Sequence, residues 1–420
     1  MKIIYNISQC VTMAGGPRRG ERLADPAILD NAAIVISDDK ILEVGNSEEL
    51  LSRYPLAERI DAAGMAVVPG LVDPHTHLVW AGDRANEFEM RLQGKTYMEI
   101  MAAGGGILAT LTATRKASLE ELVAQSLERV LRAFSYGTTT MEAKTGYGLD
   151  LDTEFKQLEA ILILNSIGPL ELVPTYMGAH AIPKEYEGNT AGFTDWLCDV
   201  AMPETKKWWL QHAPGQELPF VDVFCEKGVF ELEETRQILT AAAKLGYPLK
   251  LHADEFENLG GASLAAEMGA VSADHLVKTS HEDIRRLGQS ETVAVSLPGT
   301  PFGLAQSEYT PARAIIDANG YLALATDLNP GTTWNESMQF IQALSCRYLK
   351  LTPAEALAAS TINSAKAISR EDLIGSTEPG KQADLLILDV DDYRKLSYRY
   401  GTNLVAAVVK KGKLHPQPSL

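Results

Sequence analysis

His75 and His77 stand one residue apart at the end of the apolar run "VVPGLVDPHTHLVWAG", residues 67–82. In an extended strand, residues i and i+2 point to the same face, so these two imidazoles converge on one point. Such a pair can bind one metal ion, or it can be two polar side chains near a strand end. Three more histidines fall at the ends of later apolar runs: His180 in "YMGAH", His252 in "KLHADE" and His275 in "ADHL". Asp327 closes a further run in "LATDLNPG". Taken singly, a strand-end histidine more often packs or hydrogen-bonds than ligates, and an aspartate after a strand is often only a helix N-cap. Taken together, three imidazoles and a carboxylate are the donor set of a divalent transition-metal site, which singles out His75, His77, His252 and Asp327. Glu255, three residues after His252, is the acid/base candidate. A carboxylate near a metal, but not on it, can carry a proton between water and a leaving nitrogen. The same residue also fits an acidic surface position in the polar cluster "DEFEN". His212, His281 and His415 lie outside the strand ends and read as surface residues of helices or the tail.

These groups need a frame that brings distant strand ends to one place. From about residue 66, eight apolar runs alternate with amphipathic helical patterns. The runs are "AVVPGLVDPHTH", "TTTMEAK", "LELVPTYMGAH", "FVDVFCEK", "PLKLHAD", "VSADHLV", "TVAVSLPG" and "YLALATDL". In "SLEELVAQSLERVLRAFSYG" the apolar residues recur at helical spacing, with Ser118 placed as N-cap and Gly137 as the C′ stop. Eight strands separated by helices predict an α/β fold, a (β/α)8 TIM-like barrel over residues 66–369 whose active face is formed by the loops after the strands. An open doubly wound sheet would instead show a Gly-rich phosphate turn after its first strand. "AAGGGI" at 102–107 is not preceded by a strand of that kind and reads as a loop. The ends of the chain differ: "AAIVISDDKILEVG" alternates like a hairpin around Asp38-Asp39, and "GKQADLLILDVDD" and "LVAAVVKKGKL" are strand-like again. Residues 1–65 and 370–420 are therefore expected to form one small composite β-sandwich.

The balance of charge narrows the possible partners. Among 420 residues, 38 are basic and 55 acidic, a net charge of −17, and no basic stripe stands out. No nucleic-acid partner is expected. An anionic substrate would need a local cation to overcome this field. No 18-residue apolar run is present, so no membrane span is expected, and the apolar part of the N-terminus is too short for a secretory signal. Cys10, Cys198, Cys225 and Cys346 are far apart and form no CxxC pair, which suits free thiols in a reducing, cytoplasmic setting.

"PGLVDPHTH", "HADE" and the strand-eight aspartate resemble the amidohydrolase superfamily of metal-dependent (β/α)8 hydrolases. Within it, "HTHLVWAGDRANEFEMRLQGKTYMEIMAAGGGI", "KTGYGLD", "PTYMGAHAIP", "HADEFEN", "SADHL" and "ATDLNPGT" closely resemble the imidazolonepropionase family, over nearly the whole chain. The resemblance implies hydrolysis of 4-imidazolone-5-propanoate to N-formimidoyl-L-glutamate in histidine degradation, with a single zinc or iron ion, in a homodimer. It makes His75, His77, His252 and Asp327 the ligands, and it places Arg84, Tyr97, Tyr147 and His180 on the substrate. It gives Glu255 the water, with His275 assisting, and sets Asn329, Gly331 and Thr332 around the product carboxylates. Trp80 stands where the family carries a smaller aromatic.

On this reading Asp327 accepts the nucleophile's proton, His275 steadies the developing oxyanion, and Glu255 protonates the departing ring nitrogen. Arg84 offers a bidentate partner to the propanoate, although an ion pair with Glu87 or Glu89 is an equally simple use of it. Lys144 reads as a structural or substrate-loop lysine rather than a carboxylated metal bridge. The rival functions are a deaminase acting on an amino-substituted ring and a non-catalytic scaffold with the same cleft.

Overall fold

The computed structural model describes residues 1–95, 99 and 105–417. Its centre is a sheet of eight strands, β6 (Leu71–Asp73), β7 (Thr138–Lys144), β8 (Glu171–Ala179), β9 (Phe220–Cys225), β10 (Leu249–Ala253), β11 (Ser272–His275), β12 (Val293–Ser296) and β13 (Tyr321–Leu324). Neighbours pair in parallel and in chain order from β6 to β13. The first and last strands meet just beyond their ends. There His77 N donates to Leu328 O at 2.9 Å, and Asp327 N donates to His75 O at 3.1 Å. The barrel is thus closed by the very segments that carry three of the expected ligands. All eight apolar runs of the sequence are barrel strands.

The helix Leu119–Ser135 shows how local sequence sets the layer around them. The Ser118 side chain accepts from Glu121 N while the Glu121 side chain reaches back to Ser118 N, a reciprocal capping box. Gly137, at φ 96°, takes the left-handed position that ends the helix. Between those stops, Leu122, Val130, Ala133 and Phe134 bury one stripe against the barrel.

The two ends of the chain form a second sheet. It contains β1 (Lys2–Val11), β2 (Ile28–Ser37), β3 (Lys40–Asn46), β4 (Glu58–Asp61), β5 (Val67–Pro69), β14 (Leu385–Leu388), β15 (Val405–Lys410) and β16 (Lys413–Pro416). The order is β16-β15-β14-β5-β1-β2-β3, with β4 beside β1. The turn at Asp38-Asp39 joins β2 to β3, with Asp38 in the left-handed region at φ 56°. The sheet is continuous and curls on itself: Ile41 N donates to Lys381 O at 2.9 Å, and Ala383 N donates to Asp39 O at 2.7 Å. Ile4, Ile34 and Ile36 from one half then share a cluster with Leu385, Ile387 and Val409 from the other. The sandwich-like core of the termini arises by folding one sheet over. Val67 in β5 pairs with both Cys10 and Ile387, which links this sheet directly to the first barrel strand.

One smaller expectation changes. His415 lies in β16 rather than in the tail surface, half-buried with its ring edge-on to Phe134 at 5.3 Å. In "AAGGGI", residues 102–104 lie outside the described residues, and Gly105 and Gly106 lead into the helix Ile107–Lys116, with Gly106 as its N-cap. All four cysteines are free, Cys10 and Cys225 buried and the other two half-buried. Among the described residues, no helix is long and apolar enough to cross a membrane.

Candidate active site

His75, His77, His252 and Asp327 meet at the C-terminal mouth of the barrel, all of them buried. Ligand atoms of His75, His77 and Asp327 lie within 4.8 Å of one another, as do those of His75, His252 and His275. His77 Nε2 is 3.3 Å from His252 Nε2, and Asp327 Oδ1 is 3.5 Å from His75 Nε2 and 3.7 Å from His77 Nε2. Hydrogen bonds on the far side of two rings fix their tautomers. His75 Nδ1 donates to Asp274 Oδ2 at 2.6 Å, and His252 Nδ1 lies 3.1 Å from both oxygens of Asp222. Each ring therefore turns an unprotonated Nε2 toward the shared centre, and the buried His75 Nε2 has no hydrogen-bond partner. A buried acceptor left bare costs free energy. Lone pairs converging beside a carboxylate, each backed by an acid, are the arrangement of a metal site with its outer carboxylates. Burial also holds His75 and His77 well below the usual histidine range, in the neutral form that ligates metal.

Three strand ends reach this centre through left-handed backbone at non-glycine residues: Asp254 at φ 54°, His275 at φ 76° and Asp327 at φ 54°. Such residues cost about 1–3 kcal/mol each and persist only where their surroundings hold them. Here Thr279 Oγ1 donates to Asp254 Oδ2 at 3.0 Å, Thr310 Oγ1 to His275 O at 2.6 Å, and Asn329 Nδ2 to Asp327 O at 2.7 Å. The turn at Asp254 brings Glu255 back over the centre, with Oε2 3.6 Å from His275 Nε2. Burial, then the nearby Asp327 and Glu226, pushes the Glu255 carboxyl well above the usual range. Burial likewise raises Asp327, to about 6.

Above the ligands is a cavity of about 140 Å³. Arg84, Tyr147, His180, Glu255, His275, Asn329, Gly331 and Thr332 all line it. Tyr97 lies outside the described residues. His180 stacks on His77 with ring centres 4.7 Å apart, and its Nδ1 donates to Gly146 O at 3.0 Å, which leaves Nε2 as an acceptor. Asn329 Oδ1 accepts from the amides of Gly331 and Thr332, each at 2.8 Å, shaping the turn after Asp327. Arg84 is paired with Glu87 and lines the cavity as well. Trp80, fully buried, packs edge-on to Trp334, and the Arg129 guanidinium lies 3.4 Å over its ring.

Beneath the ligands is a charged layer that reading for strand ends missed. Lys144 Nζ donates to Glu142 Oε1 at 2.9 Å and to Asp222 Oδ2 at 2.6 Å. Lys250 Nζ donates to Pro74 O and Ala367 O and lies 3.9 Å from Asp274. Burial alone would raise Asp222, but His252 and Lys144 outweigh it and hold the carboxylate well below its usual range. The signal was present: Glu142 and Lys144 in "TTTMEAK", Asp222 in "FVDVF" and Lys250 in "PLKLH" are charges inside otherwise apolar strands. Phe224 and Phe256, which also line the cavity, carried no such signal.

The sequence model of the Amidohydrolase family matches residues 226–415. An imidazolonepropionase of Herpetosiphon aurantiacus is 51% identical over 413 residues, covering 98% of this chain and 96% of that protein. One from Alkaliphilus oremlandii is 46% identical over 416 residues, covering 98% and 97%. Among solved structures, guanine deaminase of E. coli superposes with a TM-score of 0.74 over 100% of this chain and 99% of its own, at 16% identity. A mutant atrazine chlorohydrolase of Arthrobacter aurescens, complexed with zinc and atraton, gives 0.72 over 99% and 95%, at 17% identity. The structural likenesses establish the barrel fold. The sequence likenesses, near 50% over nearly full length, establish the family, and the His/Asp cluster is a group that could hold a metal ion.

Proposed function

The chain belongs to the imidazolonepropionase family, and we propose that the cluster of His75, His77, His252 and Asp327 is the centre at which it opens its substrate. The reaction is hydrolysis of the cyclic amide of 4-imidazolone-5-propanoate to N-formimidoyl-L-glutamate in histidine degradation. Kinship at this level sets aside the ring-deaminase and scaffold readings. The observation that carries the site assignment is the convergence of the buried His75, His77 and His252 Nε2 atoms on one point beside the Asp327 carboxylate.

The four residues would hold one divalent ion, zinc or iron, since a His3Asp donor set suits either. When bound, that ion supplies a water of lowered pKa and polarises a carbonyl. The remaining work belongs to the chain. Asp327 accepts a proton from the attacking water. His275, kept neutral by burial, has an N–H to offer the developing oxyanion, and neither ring nitrogen has a hydrogen-bond partner among the described residues. Glu255, whose carboxyl burial pushes well above the usual range, donates to the departing ring nitrogen. Water thus adds across the ring C–N bond, its oxygen to carbon and its proton, through these groups, to nitrogen. Tyr147, His180, Asn329, Gly331 and Thr332 shape the cavity around the ring, and Arg84 takes the propanoate. Tyr97 joins this group by resemblance alone. Catalysis is assigned to residues 66–369 and the composite β unit to residues 1–65 with 370–420, into whose sheet β5 (Val67–Pro69) also inserts. We take the enzyme to be a cytoplasmic homodimer with no nucleic-acid partner.

The test follows loss of the imidazolone ultraviolet absorbance with metal-loaded protein, with metal content and released ammonia measured alongside. Ring opening without ammonia is the expected result. Ammonia release at the rate of turnover would return the deaminase reading.

A further inference from the structure

In the sequence, an Arg84–Glu87 ion pair and an Arg84 that holds a substrate carboxylate stand as rivals. The geometry makes them parts of one device. Glu87 is buried on the helix Ala85–Leu92. Its Oε2 accepts from Arg84 Nε at 2.8 Å and from Gly106 N at 2.8 Å, and its Oε1 accepts from Arg84 Nη2 at 2.6 Å. Arg91, one turn further along the helix, approaches the same Oε1 at 3.9 Å and donates from Nη2 to Gly331 O at 2.8 Å. Burial favours the neutral acid, but the two arginines and the Gly106 amide outweigh it, so Glu87 is an ionised acceptor.

Two of the three Arg84 nitrogens are thereby fixed. The third, Nη1, has no protein acceptor among the described residues. It lies so close to Gly331 that a Cβ built there would be 2.2 Å away. Arg84 and Gly331 both line the cavity above the ligand cluster. The guanidinium is a rigid plane, so holding its Nε/Nη2 edge aims Nη1.

We propose that Glu87 is a positioning residue for recognition of the substrate carboxylate. It holds Arg84 with Nη1, unpaired among the described residues, beside Gly331, and it ties Gly106 and, through Arg91, the Gly331 turn to the same end of the cavity. This rests on Arg84 being the partner of the propanoate. The alternative role predicts the opposite sign. A carboxylate that merely neutralised Arg84 would oppose an anionic substrate, so its loss would strengthen binding. A carboxylate that aims Arg84 is missed when it goes.

The experiment compares Michaelis constants for imidazolone propanoate and for the same ring without its carboxylate. In Glu87→Gln, KM for the acid should rise about fivefold or more while kcat stays within about twofold. Metal content and the KM of the tail-less ring should not move. In an Arg84→Met background, adding Glu87→Gln should change nothing further. An unchanged or lowered KM in Glu87→Gln, with Arg84→Met raising it, would overturn the positioning role alone. If Arg84→Met leaves the preference for the acid intact, the reading of Arg84 fails and takes the proposal with it. Should Glu87→Gln not fold, Glu87→Asp keeps the charge but draws the carboxylate back from the Arg84 Nε/Nη2 edge. A rise in KM of the same sign is expected there, and no rise would overturn the proposal.

Discussion

On the inner face of the terminal sheet, Ile4, Ile34, Ile36, Leu385 and Val409 meet hydrocarbon to hydrocarbon. Lys410 and Asp384 of that sheet pair on its other face, with Glu171 of the barrel strand β8. Inside the barrel, strands of equally apolar flanks place Glu142, Lys144, Asp222, Lys250 and Asp274 out of reach of water. Each apolar side chain buried in the sheet contributes about 1.5–3 kcal/mol. Each ion buried in the barrel costs several kcal/mol, returned only by close partners. A TIM barrel is ordinarily filled with branched apolar residues. The departure therefore has to be explained by what the ions touch: Asp222 and Asp274 hold the outer nitrogens of His252 and His75, and Lys144 and Lys250 hold Asp222 and Asp274. One region is built for stability. The other gives up stability to orient two imidazoles.

The contrast can be broken most forcefully at Asp222. Asp222→Ala leaves Lys144 and His252 without a shared acceptor, so unfolding free energy should drop by about 3–5 kcal/mol. Metal affinity should fall by about 10- to 100-fold. A denaturation midpoint and metal content after dialysis read both, and a loss of stability without loss of metal would make the layer purely structural. Glu255→Gln probes the same region without touching its scaffold. It should slow turnover by about 10²–10⁴ while leaving metal and stability in place. Because its carboxyl is raised, the acid form it needs is present at low pH and lost as pH rises through the raised value. Wild-type kcat should decline on that side, and the variant should lack the decline. Ile34→Ala sharpens the other half of the contrast. It should cost about 2–5 kcal/mol of stability with turnover per bound metal unchanged. A matching fall in turnover would couple the sheet to the chemistry.

The eight barrel strands were legible because each is a short apolar run between amphipathic helices with clear caps, as at Ser118 and Gly137. The clustering of the candidate residues was legible because period two puts His75 and His77 on one face, and because function sits where such strands end. The layer beneath was not. Glu142 lies two residues from Lys144 on the same strand, but Asp222 and Asp274 are 78 and 130 positions away, and only closure of the barrel brings those two to Lys144. Likewise, alternation in β3 and the unbroken apolar run of β14 mark buried strands but not the curl that joins their segments through Ile41 and Lys381. For Arg84, the sequence offered two uses of one guanidinium, and only three-dimensional placement of Gly331 made them compatible.

The central claim is that His75, His77, His252 and Asp327 hold the ion on which hydrolysis depends. The direct measurement is to strip the protein with a chelator and restore zinc or iron(II) in steps while following imidazolone absorbance. His252→Ala is carried through the same titration. Activity should vanish on stripping and return in proportion to added metal up to one ion per chain, and the variant should recover neither metal nor rate. Full turnover in the stripped protein, or in a His252→Ala protein that binds no metal, would contradict the account.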